Sequence, residues 1–297
     1  MLEGVMLIYF SEIVENMRVN KYTAVAISTI LILATFVFAL PNLVPATVDK
    51  AKEPVPVTIP AHAVEIADDV FSLGSVKVNG QVLQGYAFVY RKGFAKPPWA
   101  GGGGTTTSTC FSVFAKGAKW KTAEPWVVNP ANTEGLGSAF VLSNLDSSVS
   151  KWEDAADGTV GSGSINILGS GSTISDTLVA DTSSPDGVNE VYFGDVGSSG
   201  AIAVTIVWGI FIGPPSGREL VEWDQVYDQV DFNWSSTGEA GKMDFENINT
   251  HELGHTVGLG HPSDECTEET MFRFASFGET KKRTLNAGDI AGVDSLY

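Results

Sequence analysis

The 297-residue sequence predicts an α+β fold, and three observations carry that prediction. A stretch of alternating apolar and polar residues comes early, around residues 75–90. One long segment with apolar residues at helical spacing follows, over 136–157. A run of short β-like patterns then leads into two further helical segments, and strands grouped apart from helices define the α+β class. Hydrophobic residues make up 43% and aromatics 10%, enough to bury a real core.

The elements follow in chain order. From Thr23 to Leu40 the chain reads "TAVAISTILILATFVFAL", without a charge and with Arg18 and Lys21 just before it. A positively flanked apolar run with no polar face reads as a secretion signal or a membrane anchor rather than a core helix. The residues before it carry acids and no base, whereas a start at Met17 gives "MRVNKY", a basic leader. Residues 1–46 are therefore assigned to a signal peptide or anchor with Met17 as the favoured start, and the remainder to the outside of the cell. Residues 47–117 form a stalk and a small β-rich accessory or pro-region. Within it "SVKVNGQVLQGYAFVY" is a hairpin turning at Asn79-Gly80, a dipeptide that takes the positive φ angles of a two-residue turn. "KPPWAGGGGTTTST" then interrupts any regular element.

Beyond it, "CFSVFAKGAKW" and "PWVVNP" read as strands. In 136–157, Phe140, Val141, Leu145, Val149 and Trp152 recur at helical spacing and mark a core-facing stripe. "SINIL", "NEVYFG", "AIAVTIVWGIFI" and "VYDQVDFNW" read as short strands, and helices are expected at 244–257 and 287–296.

A formal net charge of -17 and a pI near 4.5 exclude a nucleic-acid-binding surface. The acidic excess reads as a solvated surface, with calcium sites as the other use of the same groups.

Three of the four histidines fall in "HELGHTVGLGH", residues 251–261. His251 and His255, four apart on a helix, place both imidazoles on one face, where they can converge on one zinc. Asp244 can cap that helix and Gly258 can end it, since glycine takes the left-handed backbone a sharp exit requires. The chain then returns, so that His261 can supply a third nitrogen. Three neutral ligands leave a position open to water, the mark of a catalytic zinc. Glu252, beside His251, is placed to act as general base and then general acid on a peptide bond. At average residue frequencies the full pattern arises by chance in on the order of 10⁻⁵ of chains this long.

H-E-x-x-H-x-x-G-x-x-H, here His251, Glu252, His255, Gly258 and His261, resembles the signature of the metzincin zinc metalloproteases. The resemblance implies a supporting methionine beneath the metal, and Met271 in "ETMFRF" matches it. "TLNAGDIAGVDSLY" at the C-terminus and "AKWKTAEPWVVNP" at 118–130 look like the last helix and the entry of the matrixin branch. The implied fold is a metzincin catalytic domain over 118–297: a mixed twisted sheet, a long first helix, an active-site helix and a C-terminal helix. The implied activity is that of an exported zinc metalloendopeptidase acting on polypeptides, with membrane contact only through segment 23–40. Pro262 departs from matrixins toward serralysins. No tyrosine stands among Phe272, Arg273 and Phe274 after Met271, where those and the astacins bring a tyrosine ligand, so three protein ligands are expected. The "PRCGxPD" thiolate switch of matrixin propeptides is absent. Cys110 and Cys266 are then read as a disulfide in preference to Cys110 as a switch cysteine.

Metzincin clefts accept an extended chain at a sheet edge, and "AIAVTIVWG" is the expected edge. Residues 262–274 are expected to line the specificity pocket. A zinc-bearing binding module with weak catalysis is the competing reading; its mark would be a missing ligand or glutamate, and none is missing.

Overall fold

The structure, a computed structural model, describes residues 55–93, 107–161 and 163–297. The apolar segment 23–40 and the Gly-rich stretch at 94–106 lie outside them. Among the described residues no helix is long and apolar enough to cross a membrane.

Thirteen strands appear among the described residues: β1 (Val64–Ala67), β2 (Val70–Val78), β3 (Gln81–Lys92), β4 (Ser112–Val113), β5 (Trp126–Asn129), β6 (Gly171–Thr173), β7 (Asn189–Gly194), β8 (Ala201–Ile210), β9 (Glu219–Asp228), β10 (Trp234–Ser235), β11 (Met243–Asp244), β12 (Leu259–Gly260) and β13 (Phe274–Ala275). The helices are α1 (Ser138–Ala155), α2 (Phe245–Thr256) and α3 (Ala287–Asp294). One nine-stranded sheet runs β1-β2-β3-β8-β9-β7-β5-β6, with β13 added beside β3. Its β6, β5, β7 and β9 are mutually parallel, while β8, β3, β2 and β1 follow antiparallel. The sheet is mixed and the class α+β, as the sequence predicts.

The helices cover one face. Val141, Leu145, Val149 and Trp152 of α1 are buried, and each such apolar side chain gains about 1.5–3 kcal/mol on leaving water. Trp152 Nε1 donates to the Thr250 carbonyl at 2.8 Å, and Ser148 and Thr250 share a hydroxyl bond at 2.9 Å, which fixes α1 against α2. A second core lies on the opposite face, where Leu73, Val89, Val204 and Trp208 pack with Leu178 and Val196.

Asn79 and Gly80 take φ of 49° and 87° between β2 and β3, and Val78 pairs with Gln81. This is the expected two-residue hairpin, favoured because its twist matches that of the strands it joins. "NEVYFG" is β7 residue for residue. "SINIL" forms no strand; Ile167 and Leu168 instead donate backbone N–H groups to the Glu153 carboxylate at 2.8 and 3.0 Å. β9 begins at Glu219, earlier than the sequence pattern suggests, because its inward Glu222 and Asp224 break the apolar run.

One further departure concerns function. The expected edge "AIAVTIVWG" lies in β8, which is interior: β9 flanks it on one side and β3 on the other. Through that pairing β3 of the 47–117 region adjoins the sheet of 118–297, and residues 52–297 make up one compact unit. Cys110 and Cys266 form a disulfide across 156 residues, Cα–Cα 5.7 Å. It ties the start of β4 to the loop after His261, and β4 pairs there with β12.

Candidate metal and catalytic centre

Helix α2 carries the centre, and its ends are set by sequence. Asp244 accepts the Asn247 N–H at 3.0 Å as N-cap. Gly258, at φ 108°, turns the chain out of the helix. A Cβ there would meet Leu296 Cδ1 at 2.8 Å and the Ala118 carbonyl at 3.2 Å, so both the conformation and the space call for glycine. The exit runs through β12 to His261.

Nitrogens of His251, His255 and His261 lie within 4.8 Å of one another. His251 Nδ1 bonds the Thr270 carbonyl at 2.7 Å and His255 Nδ1 the Leu259 carbonyl at 2.8 Å. A carbonyl only accepts, so each Nδ1 carries the proton and each Nε2 presents a lone pair. Both Nε2 atoms, and both ring nitrogens of His261, are buried without a hydrogen-bond partner. Buried polar atoms are nearly always paired, so the donor set fits a metal: three convergent imidazoles, two of them held by carbonyls behind, as second-shell partners hold zinc ligands. Burial pushes all three rings down, His255 to about 3 and the other two well below the usual histidine range. All are neutral at pH 7, the state in which imidazole ligates.

Glu252 is wholly buried beside them. Its Oε2 accepts from Thr205 Oγ1 at 2.5 Å, and its Oε1 has no partner. Burial pushes its carboxyl up to about 8; the Thr205 hydroxyl and the Lys282 ammonium act against that rise. Met271 lies under the helix, where a Cβ on Gly254 would meet its sulfur at 2.1 Å. Thr270 and Met271 donate their N–H groups to Asp289 at 2.8 and 3.1 Å. That carboxylate also accepts from Asn286 N to close the capping box of α3.

Two aromatic rings cover the histidines. Tyr90 stacks on His251 at 3.7 Å and 4°, and Phe88 on His255 at 4.2 Å and 15°. The Tyr90 hydroxyl bonds the Lys282 ammonium, which also donates to the carbonyls of Phe272 and Phe274. Lys282 is fully buried, and that burial pushes its amine down to about 7. A cleft of about 610 Å³ opens beside His261, lined by Phe88, Phe114, Pro262, Asp264 and Arg273 among others. Of the stretch 262–274, Pro262 to Asp264 and Arg273 face that cleft.

The residues named from the sequence thus meet in one place. Tyr90, Phe88, Thr205, Lys282 and Asp289 were not singled out. Only Asp289 carried a signal, standing three residues after Asn286 as a capping-box partner does; the others act across distances no local pattern spans.

A helix that presents two histidines, a glycine exit to a third, and a methionine turn beneath define a metzincin-type centre. The matrixin family model matches residues 119–297, and the chain belongs to that family. It is similar to Metalloendoproteinase 2-MMP of Arabidopsis thaliana, 32% identical over 91 residues. It is also similar to Metalloendoproteinase 4-MMP of the same plant, 34% over 84 residues, and to human Matrilysin, 34% over 74 residues. These stretches cover 28%, 28% and 25% of this chain, and 21%, 23% and 26% of the relatives. The matched portion is therefore about a quarter of either partner's length.

Proposed function

We propose that this matrixin is an exported, zinc-dependent endopeptidase in which His251, His255 and His261 hold the metal and Glu252 is the general base and acid. The carrying observation is the set of buried, unpartnered imidazole nitrogens converging beside a buried carboxylate. Bound there, zinc would lower the pKa of a coordinated water toward about 7 and polarise a peptide carbonyl. Glu252 presents the free Oε1 to take a proton and return it to the leaving amine. Thr205 fixes the other oxygen, so the carboxylate cannot swing away. Met271 and Asp289 support His251 through the Thr270–Met271 turn.

Export follows from the flanked apolar segment 23–40, read as a signal or anchor over residues 1–46. The disulfide is consistent with an oxidising compartment. For calcium, the candidate ligands are Asp181, Asp186 and Glu222, which offer oxygens within 4.8 Å of one another. Substrates are proposed to be polypeptides.

Replacing Glu252 by Gln is the test. Zinc content should stay at one per chain, while peptide hydrolysis falls by about 10²–10⁴-fold, the usual contribution of a positioned acid–base group. Undiminished hydrolysis would overturn the role of Glu252.

A further inference from the structure

We propose that β3 lies in the cleft in the place of a polypeptide substrate, so that the folded chain is latent, and that Tyr90 shows the side chain the principal pocket prefers. The inference rests on reading the centre as that of a peptidase. An extended peptide is commonly recognised by adding a strand to a free sheet edge. With β1–β3 removed from the strand order, β8 is the edge nearest the histidines, and its Thr205 bonds Glu252. β3 takes that edge in antiparallel register, with Phe88 opposite Thr205 and Tyr90 opposite Ala203. On its other side it pairs in parallel with β13, Arg91 opposite Phe274, in the segment just after Met271. The strand is gripped from both sides, as a bound chain would be.

Its side chains complete the likeness. Phe88 and Tyr90, two apart, point to the same face of the strand, and their rings lie on His255 and His251. Tyr90, His251 and Lys282 are all wholly buried. While β3 stays, no second chain can pair with β8 or reach the face of His251. The Tyr90 hydroxyl meets Lys282, a buried amine in a pocket otherwise edged by the Phe272 and Phe274 carbonyls. A pocket with an imidazole wall and an ammonium at its end suits an aromatic ring carrying a hydroxyl.

Outside β3 lie β2, paired with it from Val70 to Val78, and then β1. All four residues of β1 are exposed. The far end of β3 is fastened by Arg91, which bonds Asp69, Ser198 Oγ at 3.1 Å and the Ser199 carbonyl at 2.7 Å. Downstream, the Cys110–Cys266 disulfide holds the chain to the catalytic side independently of β3, so departure of β1–β3 need not carry the later strands with it.

The test uses the zinc-loaded full chain, two peptidyl hydroxamates that differ only in a Tyr or Leu side chain next to the chelating group, and an unfolded polypeptide as substrate. The parent should bind hydroxamate poorly. Tyr90→Ala should bind about ten-fold or more tightly, because apparent affinity scales with the fraction of molecules whose site is open. Polypeptide cleavage should rise in parallel, and the Tyr compound should be preferred. Arg91→Ala, which loosens the strand without opening the core, should shift both readouts the same way by a smaller factor, and it decides the matter if Tyr90→Ala does not fold. Equal hydroxamate affinity in the parent and the folded variants, each holding one zinc, overturns the proposal. Preference for the Leu compound overturns the assignment of Tyr90 as the pocket's guide. Tighter hydroxamate binding with no polypeptide cleavage upholds occupation of the cleft by β3 and sinks the peptidase reading instead.

Discussion

Gly254 shows how closely the centre is packed. It sits between the two helical histidines, and a methyl group there would meet the Met271 sulfur at 2.1 Å and Trp152 at 2.8 Å. Gly254→Ala should therefore destabilise the fold, although alanine is the better helix former, by about 1–3 kcal/mol as overpacked cores do. Chemical denaturation checks this, and unchanged stability would mean the methionine turn can shift. The histidines, Glu252 and Gly258 are legible in the sequence because all fall within eleven consecutive residues, two histidines one helical turn apart and the third just past a glycine exit. Tyr90 is not: it lies 161 positions before His251, and nothing in "GYAFVYRK" distinguishes a ring bound for a metal centre from one bound for a core. Lys282 reads as one of three consecutive surface bases, yet it is fully buried.

At the scale of elements, α2 and α3 are coupled through Asp289. Its carboxylate closes the capping box at the start of α3 and receives the N–H groups of Thr270 and Met271. Asp289→Asn keeps the shape but turns one acceptor oxygen into a donor facing N–H groups. Loss of about 1–3 kcal/mol is expected from a buried donor left unpaired, together with weaker zinc retention, because the Thr270 carbonyl orients His251. Thermal melting and metal content after dialysis measure the two effects. The helices were readable to within one or two residues at their N-termini, since caps and apolar stripes are local. The order of the strands was not. A strand's alternation tells which face is buried but not which neighbour it pairs with, so β8 looked like an edge until β3 was placed beside it.

At the scale of the whole molecule, one cluster of carboxyls, Asp181, Asp186, Glu190, Glu222 and Asp224, gathers beside β7 and β9. Burial, with mutual repulsion behind it, pushes Glu190 up to about 7 and Glu222 to about 8, and raises Asp181 and Asp224 as well. A carboxyl whose folded pKa is raised lends its full stability below its ordinary value near 4.5 and loses it as pH climbs through the folded value. For Glu190 and Glu222 the window is about pH 4.5 to 8. Glu222→Gln should therefore gain melting temperature relative to the parent as pH rises from 5 to 8.5, and calcium should narrow the gap if these oxygens bind it. A difference that stays constant with pH would contradict the assignment. The tether between β3 and the rest of the molecule has a different kind of consequence. A competitor joined to its own site is present at a fixed effective concentration, set by the linker rather than by the solution. Dilution, which strips a separate inhibitor from its target, leaves this one in place. The fraction of open molecules should be the same at nanomolar and micromolar protein.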